Sequence, residues 1–358
     1  MPGLYVHFPF CASKCTYCDF YARVRRDWTP YADALLRELA ERKLFLKGVP
    51  PSTLYYGGGT PSLLPVTVLS RVTAAIHRFF GTTGHLLREF TLEANPDDIT
   101  PDRAAAWRSL GVNRVSMGVQ SFCDEHLRWM KRRHTSNGTV AAFEMLRRAG
   151  FDNLSIDLIF GFTGLSDDEW VRSIDQATAL RPEHISCYQM MGRYADPDQE
   201  RCRGQYRILQ QRLSSAGYRQ YEVSNFALPG RASVHNSAYW SREAYLGLGA
   251  GAHSFDGDRL RCWNMPDIDA YVASRPSDSE QLSEREVFEE KLMLGLRTVQ
   301  GVSLSALTPE ERAMLAQKEP VLEQLSKTGK LIVSTDSVRI PPEELFVSDA
   351  VIRSLFPD

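Results

Sequence analysis

Three cysteines stand close together near the amino end, as Cys11-x-x-x-Cys15-x-x-Cys18. The chain holds seven cysteines, and the other four, Cys123, Cys187, Cys202 and Cys262, stand singly. An odd total with one tight trio, in a chain expected to stay in a reducing compartment, reads as a metal site and not as a disulfide framework. The scattered four read as small buried hydrophobes. A structural zinc site asks for four ligands, usually as two separated pairs, and no second Cys or His pair stands at suitable spacing. His7 is near, but it falls inside a predicted strand. Three thiolates on one loop can instead hold three corners of a [4Fe–4S] cube and leave one iron open to an exchangeable ligand. A scavenging or purely structural metal loop is the plainer alternative.

Other polar residues stand where strands end. Gly57-Gly58-Gly59-Thr60 follows a predicted strand, and its glycines let backbone groups approach a ligand closely; a plain tight turn ahead of Pro61 is the other reading. Glu93 ends a third strand just before Asn95-Pro96, where a carboxylate can pair with an ammonium group or with ribose hydroxyls. Gln120 ends a fourth strand and Asp157 lies in a fifth; both are polar among apolar neighbours, so burial requires partners. Arg132 sits beside a helix and can clamp a carboxylate bidentately. The run Lys131-Arg132-Arg133 reads equally well as a solvated helix face.

The elements that must position these residues follow a strand–helix rhythm. Strands are predicted at Leu4–Phe8, Thr53–Tyr56, Glu89–Glu93, Arg114–Val119, Leu154–Ile159 and His184–Tyr188. Helices are predicted at Thr29–Leu46, Pro65–Phe80, Pro101–Leu110, Thr139–Ala149, Ser166–Leu180 and Pro197–Ala216. Alternation of this kind implies an α/β fold with a parallel sheet curled into a barrel-like form and helices outside. Reactive groups then sit at the carboxyl ends of the strands. After about Gly217 the rhythm breaks. Tyr218–Asn264 reads as loops with short strands, Asp267–Ser274 as a short helix, Pro276–Glu280 as a polar linker, Glu284–Thr298 as a helix and Lys330–Ile340 as a hairpin. The expected division is a core over 1–216, an extension over 217–275, and a smaller α+β, winged-helix-like domain over 276–358.

Composition limits the function. The 358 residues carry 42 Lys and Arg against 44 Asp and Glu, a net charge of −2. That balance argues against a general nucleic-acid binder. No apolar run approaches the roughly 20 residues of a membrane span. The opening MPGLYVHFPFC lacks the form of a secretory signal. A cytoplasmic location is expected.

CxxxCxxC after a first strand, within a βα pattern, resembles the radical S-adenosylmethionine superfamily. "LYVHFPFCASKCTYCDF", "YYGGGTPSLL", "EANP", "RVSMGVQSF", "SIDLIFG", "HISCYQ", "HNSAYW" and "YLGLGAGAHSF" together resemble its oxygen-independent coproporphyrinogen-oxidase-like family. The resemblance implies a partial (β/α)6 barrel and a [4Fe–4S] cluster on Cys11, Cys15 and Cys18. It also implies S-adenosylmethionine chelated to the open iron and cleaved by one electron to a 5′-deoxyadenosyl radical. It places Gly58, Gly59, Thr60, Glu93, Gln120, Arg132 and Asp157 at the cosubstrate, with Tyr5 and Tyr17 beside it; ordinary aromatic packing is the alternative for both tyrosines.

Two departures choose within the family. Its oxidases carry a fourth cysteine where this chain has Phe20, and an extension ahead of the first strand, which here begins at Leu4. Both features match the family's heme-chaperone branch. His235-Asn236-Ser237-Ala238-Tyr239-Trp240 has the form HNxxYW, associated in that branch with heme. A His nitrogen can ligate heme iron, and Tyr239 and Trp240 can stack on a flat macrocycle. A hydrogen-bonded packing histidine is the alternative. The resemblance thus implies heme as ligand and a heme-dependent apoprotein as acceptor, which can be respiratory and membrane-bound, with no nucleic-acid partner. Coproporphyrinogen III decarboxylation, radical methyl transfer and a purely structural cluster are the rival functions. Gly247-Leu248-Gly249-Ala250-Gly251-Ala252 formally fits a dinucleotide fingerprint, but no convincing strand precedes it and no helix follows, so these glycines are expected to permit close packing.

Overall fold

The computed structural model describes residues 1–24, 27–82 and 87–357. Six strands form its centre: β1 (Gly3–Phe8), β2 (Thr53–Gly58), β3 (Glu89–Ala94), β4 (Arg114–Gln120), β5 (Leu154–Phe160) and β6 (His184–Gln189). Each lies parallel to the next in that order. The expected mixed α/β barrel of six βα steps is therefore what forms. The two faces of each strand differ. Leu54, Tyr56, Val115, Met117, Ile156 and Leu158 point outward and are fully buried beneath the helices. The alternate residues Tyr55, Ser116, Gly118, Asp157, Ile159, Ser186 and Tyr188 point into the barrel and line one cavity. Period-two alternation thus separates an apolar packing face from a largely polar interior.

The outer layer holds α1 (Thr29–Arg42), α2 (Val66–Phe80), α3 (Pro101–Ser109), α4 (Asp124–Trp129), α5 (Ser136–Arg148) and α6 (Asp167–Ala179), with α7 (Gln199–Ser215) after β6. Leu35 and Leu39 of α1, Leu69 and Ile76 of α2, and Trp170 and Ile174 of α6 are spaced four or seven apart, so each helix buries one stripe. Ser166 and Glu169 form a reciprocal capping box that starts α6.

Beyond α7 come β7 (Arg219–Gln220), β8 (Asn225–Ala227), α8 (Val234–Trp240), β9 (Tyr245–Leu248), β10 (His253–Phe255), β11 (Leu260–Asn264), α9 (Ile268–Ala273) and β12 (Ser277–Gln281). β8 pairs antiparallel with β6, and β9 pairs parallel with β1 at the opposite edge, so the sheet grows to twelve strands. Glu38 locks this extension to the barrel. Its fully buried carboxylate accepts hydrogen bonds from the Gly249 amide (2.9 Å), the Asn264 side chain (2.8 Å) and the Tyr271 hydroxyl (2.6 Å). The chain ends in α10 (Glu284–Gly295), β13 (Val302–Ser303), α11 (Pro309–Ala316), α12 (Glu319–Lys327), β14 (Ile332–Val333), β15 (Ser337–Arg339) and α13 (Ser348–Ser354). The last three strands form a small antiparallel sheet in the order β13-β15-β14, which contains the expected hairpin.

Four local expectations are corrected. Pro276–Glu280 is not a linker: Ser277–Gln281 is β12, fully exposed in its side chains but hydrogen-bonded through its backbone to β11. The HNxxYW segment, expected among loops, is helix α8. A short helix, α4, precedes α5 where none was expected. A strand, β9, does precede the 247–252 glycines; a second strand follows it, however, and no helix, so a dinucleotide cradle is absent. A Cβ on Gly249 would come within 2.5 Å of the His7 carbonyl oxygen, at φ +106°, so close packing is what that glycine permits.

Candidate functional site

The trio of cysteines lies on the loop between β1 and α1. The loop is pinched at its neck: the Cys11 amide donates to the Arg23 carbonyl (3.0 Å) and the Arg23 amide to that of Pro9 (2.8 Å). Thr16 ties its tip to the far side of the barrel, donating its amide to the Met130 carbonyl (3.3 Å) and its hydroxyl to that of Trp129 (3.2 Å). Cys11, Cys15 and Cys18 are free thiols and line one cavity of about 650 Å³ at the carboxyl ends of the strands. The Thr60 hydroxyl lies 3.6 Å from Cys11 Sγ, and Arg132 Nη1 lies 3.6 Å from Cys15 Sγ. Burial pushes the Cys11 and Cys18 thiols above their ordinary range. His7 is no fourth donor: its two ring nitrogens engage the Tyr5 hydroxyl (2.9 Å) and the Tyr21 carbonyl (3.1 Å). Three free thiols facing one cavity are the donor set expected for a cube with one open corner.

The same cavity is lined by Tyr17, Gly58, Gly59, Thr60, Glu93, Gln120, Arg132 and Asp157. The Glu93 carboxylate accepts from the Tyr55 hydroxyl (2.8 Å) and the Gly58 amide (3.0 Å). Burial outweighs these bonds and pushes its pKa up to about 7. Gly58 makes this possible: at φ +109° a side chain would meet the His7 ring within 2.9 Å. Asp157, raised in pKa by burial, accepts from Ser116 (3.2 Å). Gln120 stands at a bulge of β4 with φ +71°, a conformation that costs energy for a residue with a Cβ and aims its amide into the barrel. Arg132 donates Nη2 to Asn95 Oδ1 and to the Gly118 carbonyl. Its buried Nε has no partner, so the guanidinium retains a donor for an acceptor that the protein does not supply. The basic run is therefore split: Arg132 is inside, while Arg133 pairs with Asp98 at 2.9 Å.

Two groups of expected site residues are elsewhere. Tyr5 does not line the cavity; it packs beneath it, hydrogen-bonded to His7 and 5.9 Å from the Tyr55 ring. His235, Tyr239 and Trp240 lie on α8 at the opposite end of the barrel. The partners of α8 are the first residues of the strands: Glu89 accepts from the Val234 amide (2.8 Å), the His235 amide (3.0 Å) and the Ser233 hydroxyl (3.1 Å), and Thr53 Oγ1 is 2.8 Å from His235 Nδ1. Tyr239 Oη is 2.9 Å from His235 Nε2. The His235 ring stacks on Tyr55 at 5.0 Å and is 1 % exposed. Both ring nitrogens are thus engaged within the protein, the arrangement of a hydrogen-bonded packing histidine. Trp240 ends the helix and does not reach the cavity. Of the motif only Asn236 does.

The sequence reading missed several cavity residues. Arg114, Ser116 and Ser186 carry the signal already used for Asp157, a polar residue at an inward position of an apolar strand. The mouth is apolar and was not foreseen: Phe20 and Met191 are each 72 % exposed, Val24 is 65 % and Tyr188 44 %, and all four line the cavity. Lys14 and Lys131 stand among them.

Residues 5–177 match the model of the radical SAM superfamily and residues 282–347 that of the HemN C-terminal domain. The chain is 34% identical to the heme chaperone HemW of Bacillus subtilis, covering 94% of both chains. It is 34% identical to heme chaperone HemW of Mycobacterium tuberculosis, covering 99% of this chain and 94% of the relative. In fold it matches coproporphyrinogen III oxidase (HemN) from Escherichia coli, a radical SAM enzyme, with a TM-score of 0.85 at 22% identity over 99% of this chain and 90% of that one.

Proposed function

The chain belongs to the HemW family within the radical SAM superfamily, and from that premise we propose that it binds a [4Fe–4S] cluster, S-adenosylmethionine and heme and delivers heme to a heme-dependent apoprotein. The observation that carries this reading is a single cavity in which three free thiols, a retained arginine donor and a buried carboxylate converge beneath an apolar mouth. Cys11, Cys15 and Cys18 would hold the cluster. When bound, the cluster supplies one electron at an iron that no protein side chain occupies. Glu93 and Arg132 suit the two charged ends of an amino acid, an ammonium and a carboxylate, and Asp157 and Gln120 offer hydrogen-bonding groups to the rest of the cosubstrate. Tyr17 covers it from the loop. Residues 1–216 are the core of this reading and 217–275 its extension; because β12 joins the large sheet, the smaller domain starts after it, at about residue 282.

The heme site belongs at the mouth. Phe20, Val24, Tyr188 and Met191 offer a flat macrocycle an apolar face, and Lys14 and Lys131 stand where its propionates would lie. A shallow open site suits a carrier that must release its cargo. Among the described residues no helix is long and apolar enough to cross a membrane.

The test is anaerobic heme titration of cluster-loaded protein with and without S-adenosylmethionine. Wild type and His235→Ala are expected to take up heme alike. The double variant Phe20→Ser, Met191→Ser is expected to bind at least tenfold more weakly. Loss of heme in His235→Ala alone would move the site to α8, and no uptake by wild type would end the chaperone reading. Protoporphyrinogen formed from coproporphyrinogen under reducing conditions would replace it with the decarboxylase.

A further inference from the structure

Outside this cavity, one cluster of chemically capable side chains has no role in the proposed function. Cys123, His126 and Glu169 offer a sulfur, a ring nitrogen and a carboxylate oxygen that all lie within 4.8 Å of one another. They come from two elements. Cys123 is the residue before α4 and its side chain makes no capping bond, His126 is in the first turn of α4, and Glu169 is in the first turn of α6.

The three ligand atoms lie close enough for one ion to draw them together. Glu169 Oε2 is occupied by the capping box, accepting from the Ser166 amide (3.0 Å) and hydroxyl (2.5 Å). Its other oxygen faces His126 Nε2 at 3.7 Å, beyond hydrogen-bond range. That gap is informative. Zinc bonds of about 2.0–2.2 Å to nitrogen and oxygen, meeting at a tetrahedral angle, separate the two ligand atoms by about 3.3–3.6 Å. The opposite ring nitrogen, Nδ1, is 3.3 Å from the Ser121 hydroxyl, the kind of outer partner that orients a ligating imidazole. The ring stands edge-on to Phe162 at 5.0 Å, and the side chains of His126 and Glu169 are 12% and 23% exposed, so the site is sheltered yet reachable.

We propose that Cys123, His126 and Glu169 form a second metal site, selective for a borderline-soft divalent cation of the zinc type, with solvent in the fourth position. Thiolate, imidazole and carboxylate together are a zinc donor set, and one that calcium or magnesium would not choose. Binding forms a metal–sulfur bond and releases the Cys123 thiol proton to solvent. The side chains must draw in by on the order of 1 Å, which rotamer adjustment supplies. The ion would clamp α4 to α6. Because Thr16 of the cysteine loop hangs on the carbonyls of Trp129 and Met130 at the end of α4, the clamp also stiffens the platform on which that loop rests.

The experiment uses cluster-loaded protein, incubated without air with about two equivalents of zinc, desalted, and assayed for zinc, iron and sulfide. Wild type is expected to retain about one zinc per chain with iron unchanged. Cys123→Ser is expected to retain less than a tenth of that at the same iron content. Glu169→Gln, which preserves the capping box, should weaken zinc binding at least tenfold. Cys262→Ser serves as the control and should retain zinc like wild type. Zinc-edge X-ray absorption should show one sulfur neighbour with the remainder nitrogen and oxygen. No retained zinc in wild type, equal retention in Cys123→Ser, or three sulfur neighbours with loss of iron would each overturn the proposal.

Discussion

The loop after β1 and helix α8 carry the two most conspicuous motifs of the chain, and they sit at opposite ends of the same six-stranded barrel. They differ in what their polar atoms lack. On the loop, three thiols face a cavity, and the arginine beside them keeps a buried Nε without a partner. On α8, the helix start is held by Glu89, and the His235 ring is bonded on both nitrogens. A buried polar group left unmatched next to a cavity is waiting for a ligand, because leaving it so costs about 1–3 kcal/mol. A fully matched group is structure. By that criterion the proposed ligands belong at the cysteine-loop end of the barrel, and α8 closes the other end.

The comparison is open to direct attack. The largest effect is expected at the loop: Cys11→Ala, Cys15→Ala or Cys18→Ala should each abolish cluster loading after anaerobic reconstitution, while the denaturation midpoint of the apoprotein barely moves. Full iron and sulfide in any single variant would break the assignment. His235→Ala should do the reverse. Cluster and heme loading should persist, but chemical denaturation should show a loss of about 2–3 kcal/mol, since packing disappears and the Thr53 and Tyr239 hydroxyls lose their partner.

A pH series sharpens the contrast. Burial lowers the His235 pKa to about 4, below its unfolded value of about 6.5. The unfolded chain therefore binds more protons between these values, and the stability that neutral His235 contributes above pH 6.5 falls on acidification toward pH 4. In His235→Asn that slope should be shallower by up to about 1.4 kcal/mol per pH unit. At the other end, Glu93 titrates near 7 and must be ionised to pair with an ammonium group. Affinity for S-adenosylmethionine, measured by calorimetry, should drop by up to about tenfold per unit below pH 7, and Glu93→Gln should bind weakly with a flat profile. The smallest effect is expected of Cys262→Ala, which should leave iron content unchanged and stability within about 0.5 kcal/mol.

How much of this was legible in the sequence depends on how local each cause is. The six barrel strands are found within a residue or two of expectation, because each is a short β-rich segment whose alternate residues are apolar and which is bounded by glycine, proline and polar residues. Helix α8 was missed because VHNSAYW favours no helix on its own; its start is capped by Ser233 and held by Glu89, about 145 residues earlier. Strand β12 was missed because SDSEQ has no apolar face, and only its backbone pairing with β11 makes it a strand. The apolar mouth was invisible for a similar reason. The pair Phe20 and Val24 is far in the chain from the pair Tyr188 and Met191, and the two meet only once the barrel curls.

What the sequence determined by itself is the ligand-bearing loop and the βα rhythm behind it, since three cysteines within eight residues share one loop whatever surrounds them. The tertiary structure alone decided which polar side chains remain unmatched. Arg132 reaches the cysteines from more than a hundred residues away, Glu93 acquires its raised pKa from burial, and His235 finds Thr53 across the barrel floor. Whether a polar group serves binding or packing depends on partners distant in the chain, and only folding brings those partners within hydrogen-bond range.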